Sequence, residues 1–121
     1  MTALDVQEHL RTEISKEDPW LLASNPFEHR RYAIMLDMIR AAGPFSRALE
    51  VGCAAGEFTN LLADHCDSLH VVDVLPLAIR RMLQRTRRHR HITCEISSVT
   101  EDFAAGETYD LIVVAEILCY L

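Results

Sequence analysis

The 121-residue sequence contains no apolar run near the roughly 18 residues that a membrane-spanning helix needs, which excludes a spanning segment within it. Its opening, MTALDVQEHLRTEISKEDPW, lacks the charged-then-apolar layout of a signal peptide. A positive balance is also missing. The formal net charge is -6 and the pI near 5.4, against the basic face that a general nucleic-acid binder or an anionic membrane surface calls for. The four cysteines, Cys53, Cys66, Cys94 and Cys119, include no CxxC pair, so neither a disulfide framework nor a zinc ribbon is indicated. His65, Cys66 and His70 fit no tetrahedral ligand spacing, and no metal is expected. These absences predict a cytoplasmic protein with reduced, mostly buried cysteines and with no nucleic-acid, membrane or metal partner.

Half of the residues are apolar and the length suits one domain, so a single core is expected. Periodicity divides the chain. Residues 1–17 are charge-rich and weakly amphipathic, ending at Ser15-Lys16-Glu17-Asp18-Pro19, and are expected to form a mobile arm. Asn25-Pro26 then supplies an N-cap and a first-turn proline for a helix carrying Tyr32, Met35, Leu36 and Ile39 at helical spacing, and Gly43-Pro44 ends it. Arg47 to Gly52 reads as a buried strand, Glu57 to Asp64 as a helix, Ser68 to Asp73 as a second strand, and Pro76 to Arg85 as a second amphipathic helix. His91 to Cys94 is a short third strand, and YDLIVVAEILCYL, the most apolar stretch, contains a fourth. Alternation of this kind implies an α/β fold, a Rossmann-like parallel sheet with flanking helices.

In such a sheet ligands bind beyond the carboxyl ends of the strands, where strand order reverses about the first strand. Gly52 and Gly56 bracket a loop at that point, and Asp73 closes the second strand 21 residues after Gly52. A carboxylate about 20 residues past the first glycine is placed to hold ribose hydroxyls, so a nucleoside site is predicted. Ala54 stands where a G-x-G-x-x-G dinucleotide loop needs its second glycine. Glu50 adds an anion at the loop, which suits an ammonium and repels a pyrophosphate.

The residues Glu50-Val51-Gly52-Cys53-Ala54-Ala55-Gly56, with Asp73, resemble the glycine motif and ribose-binding acid of class I methyltransferases. With DPWLLASNPFEHRRYAIML, VVDVLPLAI and YDLIVVAEILCYL added, the chain from about Asp18 to Leu121 is similar to the NodS-like nodulation N-methyltransferases. The resemblance implies S-adenosylmethionine as methyl donor, S-adenosylhomocysteine as product, and a small-molecule or oligosaccharide amine as acceptor, in the named family a chitin-like one of nodulation factor synthesis. Carried over by position, it implies that Glu50, Gly52, Cys53 and Gly56 surround the methionine part, and that Asp73 and Val74 hold the ribose. Ser98 takes the place of the acid that meets the adenine amine. Trp20 and Arg31 belong to an N-terminal lid, with Arg31 gripping the methionine carboxylate. Ala115 lines the mouth, and Glu116 is the candidate to contact or deprotonate the acceptor amine.

Simpler readings accompany these. Arg30 and Arg31 suit the charged outer face of a helix, Trp20 suits packing, and Glu116 suits solvent exposure. The run Arg80, Arg81, Arg85, Arg87, Arg88, His89, Arg90 and His91 reads as a solvated helix end, favoured by the macrodipole. Cys53 has no base at a diagnostic spacing and reads as a small packing residue. Class I methyltransferases have seven strands, so the resemblance implies a domain truncated after the fourth, with 1–17 as arm and 18–121 as the cofactor-binding part. That leaves LIVVAEILC as an apolar edge open to self-association. Two other functions stay open at this point: a catalytically impaired remnant that only binds the nucleoside, and, disfavoured by Ala54, a nicotinamide-dependent oxidoreductase.

Overall fold

The structure, a computed structural model, describes residues 2–98 and 107–115. Helix α1 runs Ala3–Ile14, α2 Pro26–Ala42, α3 Glu57–Leu62 and α4 Pro76–Arg85. Strand β1 runs Phe45–Val51, β2 Cys66–Asp73, β3 Ile92–Ile96 and β4 Leu111–Val113. The four strands form one sheet in the order β3-β2-β1-β4. All three pairings are parallel, with Val51 opposite Val72, Asp73 opposite Ile96, and Glu50 opposite Val113. Strand order therefore reverses at β1, as the alternation of elements predicted.

Local chemistry sets the helix starts. Thr2 and Asp5 form a reciprocal capping box on α1. The Asn25 side chain accepts from Phe27 N at 2.9 Å, with Pro26 in the first turn, as its sequence position implied. Steps from β1 to β2 and from β2 to β3 move the same way across the sheet, so right-handed crossovers bring α3 and α4 to the same face. Ala48, Leu69, Val71 and Val113 point to that face and pack with Tyr32, Ile39, Phe58, Leu62 and Met82 in the main core. Leu49, Val51 and Val72 point the other way, towards Tyr109 and Val114. Phe58, Leu62, Leu69 and Met82 are all fully buried, each contributing about 1.5–3 kcal/mol of apolar transfer.

Several boundaries differ from the sequence reading. β1 starts at Phe45 and β2 at Cys66, because parallel pairing of Phe45 with Cys66 extends both strands backwards beyond their apolar runs. β3 continues to Ile96, since Glu95 and Ile96 pair with Val72 and Asp73. The opening segment, expected to be a mobile arm, is helical and is anchored at its C-terminal end, where Ile14 is buried in the main core. Among the described residues no helix is long and apolar enough to cross a membrane.

Candidate functional site

The loop after β1 begins as a continuation of the sheet, with Gly52 N donating to Val72 O at 2.8 Å. Gly52 then takes φ 82 and Gly56 φ 89, and Ala54 between them is also left-handed at φ 49. Gly56 has a second reason to be glycine. A Cβ there would lie 2.8 Å from the α-carbon of Met82, so α4 packs against the loop at a distance no side chain allows. Gly56 N donates to Cys53 O at 2.9 Å and closes the turn just before α3 begins.

Asp73 sits beside this turn. Its Oδ2 accepts from Cys53 N at 2.9 Å and from the Cys53 thiol at 3.5 Å, while Oδ1 accepts from Leu75 N at 2.9 Å. Ala54 N is a further, weaker donor to the carboxylate, and Oδ1, with one well-formed bond from Leu75 N, keeps the acceptor capacity a ribose hydroxyl requires. Burial raises the Asp73 pKa, and the bonds from Leu75, Cys53 and Ala54 oppose the rise. Burial, reinforced by the Asp73 charge, also pushes the Cys53 thiol well above its ordinary value, so it stays protonated and is no nucleophile at neutral pH.

Glu50 is wholly enclosed beneath the loop, with Thr59 Oγ1 donating to its Oε1 at 2.5 Å. It thereby ties β1 to α3 and sets an acidic group under the turn. Thr59 was not singled out in the sequence. Its position two residues beyond Glu57 gives no signal until α3 folds back over β1.

Three of the remaining predicted residues, Val74, Ser98 and Ala115, follow the carboxyl ends of β2, β3 and β4. Val74 follows Asp73 directly. Ser97 N donates to Asp73 O at 3.0 Å, which brings Ser98, just beyond β3, to the same level. Ala115 lies beyond β4, and its carbonyl accepts from Arg31 Nη1 at 3.2 Å, so α2 meets the chain just past the end of β4. The Arg31 guanidinium is also paired with Glu28 at 2.7 Å and lies 5.1 Å from the Tyr32 ring centroid. Trp20 is half-buried against the main core, and its backbone N–H donates to Glu13 Oε1 at 2.8 Å. Both Trp20 and Leu21 take left-handed φ values, 51 and 56, which for non-glycine residues cost about 1–3 kcal/mol each. Glu116 lies outside the described residues.

The other clusters resolve into local contacts. His70, on the opposite face of the sheet, is bonded to Thr93 at 2.7 Å and Glu95 at 2.9 Å. Among the described residues no group of three or more His, Cys, Asp or Glu is placed to hold a metal ion. The basic run is not simply solvated. Arg85 Nε donates to Ala55 O at 3.0 Å and its Nη2 stands 3.4 Å from Glu57 Oε1. His89 bonds Asn60 at 3.2 Å and His91 bonds Ala63 O at 2.7 Å. The sequence pattern assigns Arg81 and Arg85, one helical turn apart, to a solvated surface, whereas the structure engages both. Their spacing was the available sign that both lie on one face of α4.

Comparison with known proteins places this geometry. The chain superposes on the crystal structure of N-methyltransferase NodS from Bradyrhizobium japonicum WM9 in complex with S-adenosyl-L-homocysteine with TM-score 0.92 and 46% identity, covering 96% of this chain and 59% of that one. Phosphoethanolamine N-methyltransferase 1 of Haemonchus contortus, at 17% identity and TM-score 0.73 over 94% of this chain and 26% of that one, shares the fold alone. The parallel sheet with its glycine turn is thus the Rossmann-like fold of the methyltransferases.

The sequence matches the Nodulation protein S (NodS) family over residues 2–121, and the chain belongs to that family. Nodulation protein S of Rhizobium tropici is 51% identical over 112 residues, 93% of this chain and 47% of that protein. The Bradyrhizobium diazoefficiens protein of the same name is 48% identical over all of this chain and 57% of its own length. The chain thus spans about half the length of these relatives.

Proposed function

We propose that residues 18–121 form the cofactor-binding part of an S-adenosylmethionine-dependent N-methyltransferase, with residues 1–17 as an N-terminal arm. The acceptor class we assign is an amino group, of a small molecule or of a chitin-like oligosaccharide in nodulation factor synthesis. The observation that carries the reading is the carboxylate of Asp73, locked to the turn between Gly52 and Gly56 through Cys53 N at 2.9 Å yet keeping acceptor capacity on Oδ1. The likeness to NodS in complex with S-adenosylhomocysteine supports it.

The bound cofactor would supply an activated methyl group on a sulfonium. The chain's own residues then hold and aim. Asp73 and Val74 take the ribose, Ser98 the adenine amine, and the backbone of Gly52, Cys53 and Gly56 the methionine part, with the buried acid of Glu50 favouring its ammonium. Arg31 and Trp20 close the N-terminal side, and Ala115 borders the mouth. Glu116 would receive the acceptor proton as the new N–C bond forms and the S–C bond breaks. Catalysis of this kind is chiefly alignment, which requires a rigid frame more than reactive side chains. The same reading puts the protein in the cytoplasm and gives it a second copy of itself as partner along β4, which among the described residues is paired with β1 alone.

Calorimetric titration of the 121-residue chain with S-adenosylhomocysteine tests the cofactor, with unfolding curves run in parallel to show that variants are folded. We expect binding, weakened at least about a hundredfold by Asp73→Ala through the loss of charge-assisted bonds. A folded wild-type chain that binds none of it would sink the proposal. Transfer of a labelled methyl to glucosamine oligosaccharides separates a transferase from a chain that only binds.

A further inference from the structure

The side chain of Arg81 reaches out of α4 to a segment more than sixty residues earlier. Its Nη1 donates to Ile14 O at 2.8 Å and to Lys16 O at 2.6 Å, and its Nη2 to Glu17 O at 2.8 Å. These carbonyls end α1 and begin the bend that follows, where free carbonyls and the helix dipole both favour a cation. Three carbonyls converging on one guanidinium use its planar fork, which a lysine ammonium does not reproduce.

What the fork holds is a strained stretch. Immediately beyond it, Asp18 Oδ1 accepts from Ala23 N at 3.0 Å, Ser24 Oγ donates to Asp18 Oδ2, and Trp20 and Leu21 both have positive φ. Consecutive left-handed non-glycine residues persist only where their surroundings fix them. One turn further along α4, Arg85 donates to Ala55 O in the glycine loop and faces Glu57, and Asp18 lies within electrostatic reach of both Arg85 and Glu57. The same face of α4 therefore grips the bend through Arg81 and the loop through Arg85.

We propose that Arg81 is a positioning residue for cofactor binding: it clamps the end of α1 and thereby holds Trp20 in place relative to the glycine loop. The inference rests on the cofactor reading above, but its geometry can be tested without any cofactor, because Trp20 is the single tryptophan of the chain.

The experiment compares the full wild-type chain with Arg81→Ala, Arg81→Lys and Arg80→Ala, the last an exposed residue on the same helix that removes equal charge. Each is measured by Trp20 emission, by acrylamide quenching, by thermal unfolding and by titration with S-adenosylhomocysteine. For Arg81→Ala we expect a red-shifted emission, quenching raised about twofold, and affinity lowered about tenfold, the equivalent of one lost charge-assisted bond. Arg81→Lys should fall between that variant and wild type, and Arg80→Ala should match wild type. An unmoved Trp20 signal with unchanged affinity in Arg81→Ala overturns the proposal. So does an equal effect in Arg80→Ala, or a failure to fold in both Arg81 variants, since the role is then general charge or bulk stability. If the wild type binds no S-adenosylhomocysteine the cofactor reading fails, and the positioning role for binding falls with it. The Trp20 signals still show whether the clamp exists.

Discussion

At the scale of single residues, the site is built from buried acids held by neighbours of different strength. Asp73 has backbone donors on both oxygens and Glu50 has Thr59, whereas no other described residue hydrogen-bonds the Glu57 carboxylate although its side chain is only 8% exposed. Burial accordingly raises the Glu57 pKa above its ordinary 4.5, with its own backbone N–H and then the Arg85 and Arg81 charges opposing the rise. A folded-state carboxyl whose pKa is raised holds a proton that the unfolded chain has already released. Stability then falls as pH climbs from 4.5 through the folded value, and stays lower above it. Glu57→Gln should therefore gain on the order of 1 kcal/mol at neutral pH, and the gain should vanish below pH 4.5. Urea unfolding at the two pH values measures it, and a loss at neutral pH would show that the Arg85 contact outweighs desolvation.

At the scale of elements, β4 is short, and its attachment to β1 depends on the residue just before it. The two Asp110 oxygens accept from Ser46 N and Arg47 N, both at 2.8 Å, and Asp110 N returns a bond to Arg47 O at 2.9 Å. The two backbone donors lower the Asp110 pKa below 3.8. A lowered carboxyl pKa gives stabilisation that is complete above the unfolded value and is lost as pH falls through the folded one, so this link should hold at neutral pH and open only in acid. An NMR titration of Asp110 should show a midpoint below 3.8, and Asp110→Ala should remove the slow exchange of the Ser46 and Arg47 amides. A midpoint at or above 3.8 would mean that the stitch is not formed in solution.

The elements were mostly legible in the sequence, and the site only partly. Asn25 at the N-cap, the glycine turn and the carboxylate of Asp73 follow from rules that act over a few residues. Thr59 under the loop and the Arg81 clamp depend on contacts 9 and more than sixty residues apart, which no local pattern carries. The arginine run misled for the same reason. On a helical wheel its first members form a charged face, and only the docking of α1, the glycine loop and α3 shows which of them are engaged.

At the scale of the whole molecule, the described helices cover one face of the sheet, and apolar side chains remain on other surfaces. Ile112 on β4 is 59% exposed, and Phe27, Ile34 and Met38 are exposed along α2. An accessible strand edge with an apolar residue favours pairing with another chain. If copies join along β4, light scattering behind size exclusion should show a concentration-dependent dimer, and Ile112→Lys should shift it to monomer without lowering the unfolding midpoint. A monomer at all concentrations for the wild type would exclude that contact.

The sequence by itself determined the parallel α/β order, the reversal at the first strand, the glycine turn and the acid that faces it. Spacing, periodicity and backbone conformational preference act along the chain and can be read along it. Tertiary structure alone decided that Glu50 is enclosed and bonded to Thr59, that Gly56 must lack a Cβ because the α-carbon of Met82 would lie 2.8 Å from it, and that α1 is fastened to α4 by one guanidinium. Those outcomes depend on which surfaces meet when right-handed crossovers stack the helices on one face, and on the close packing that follows.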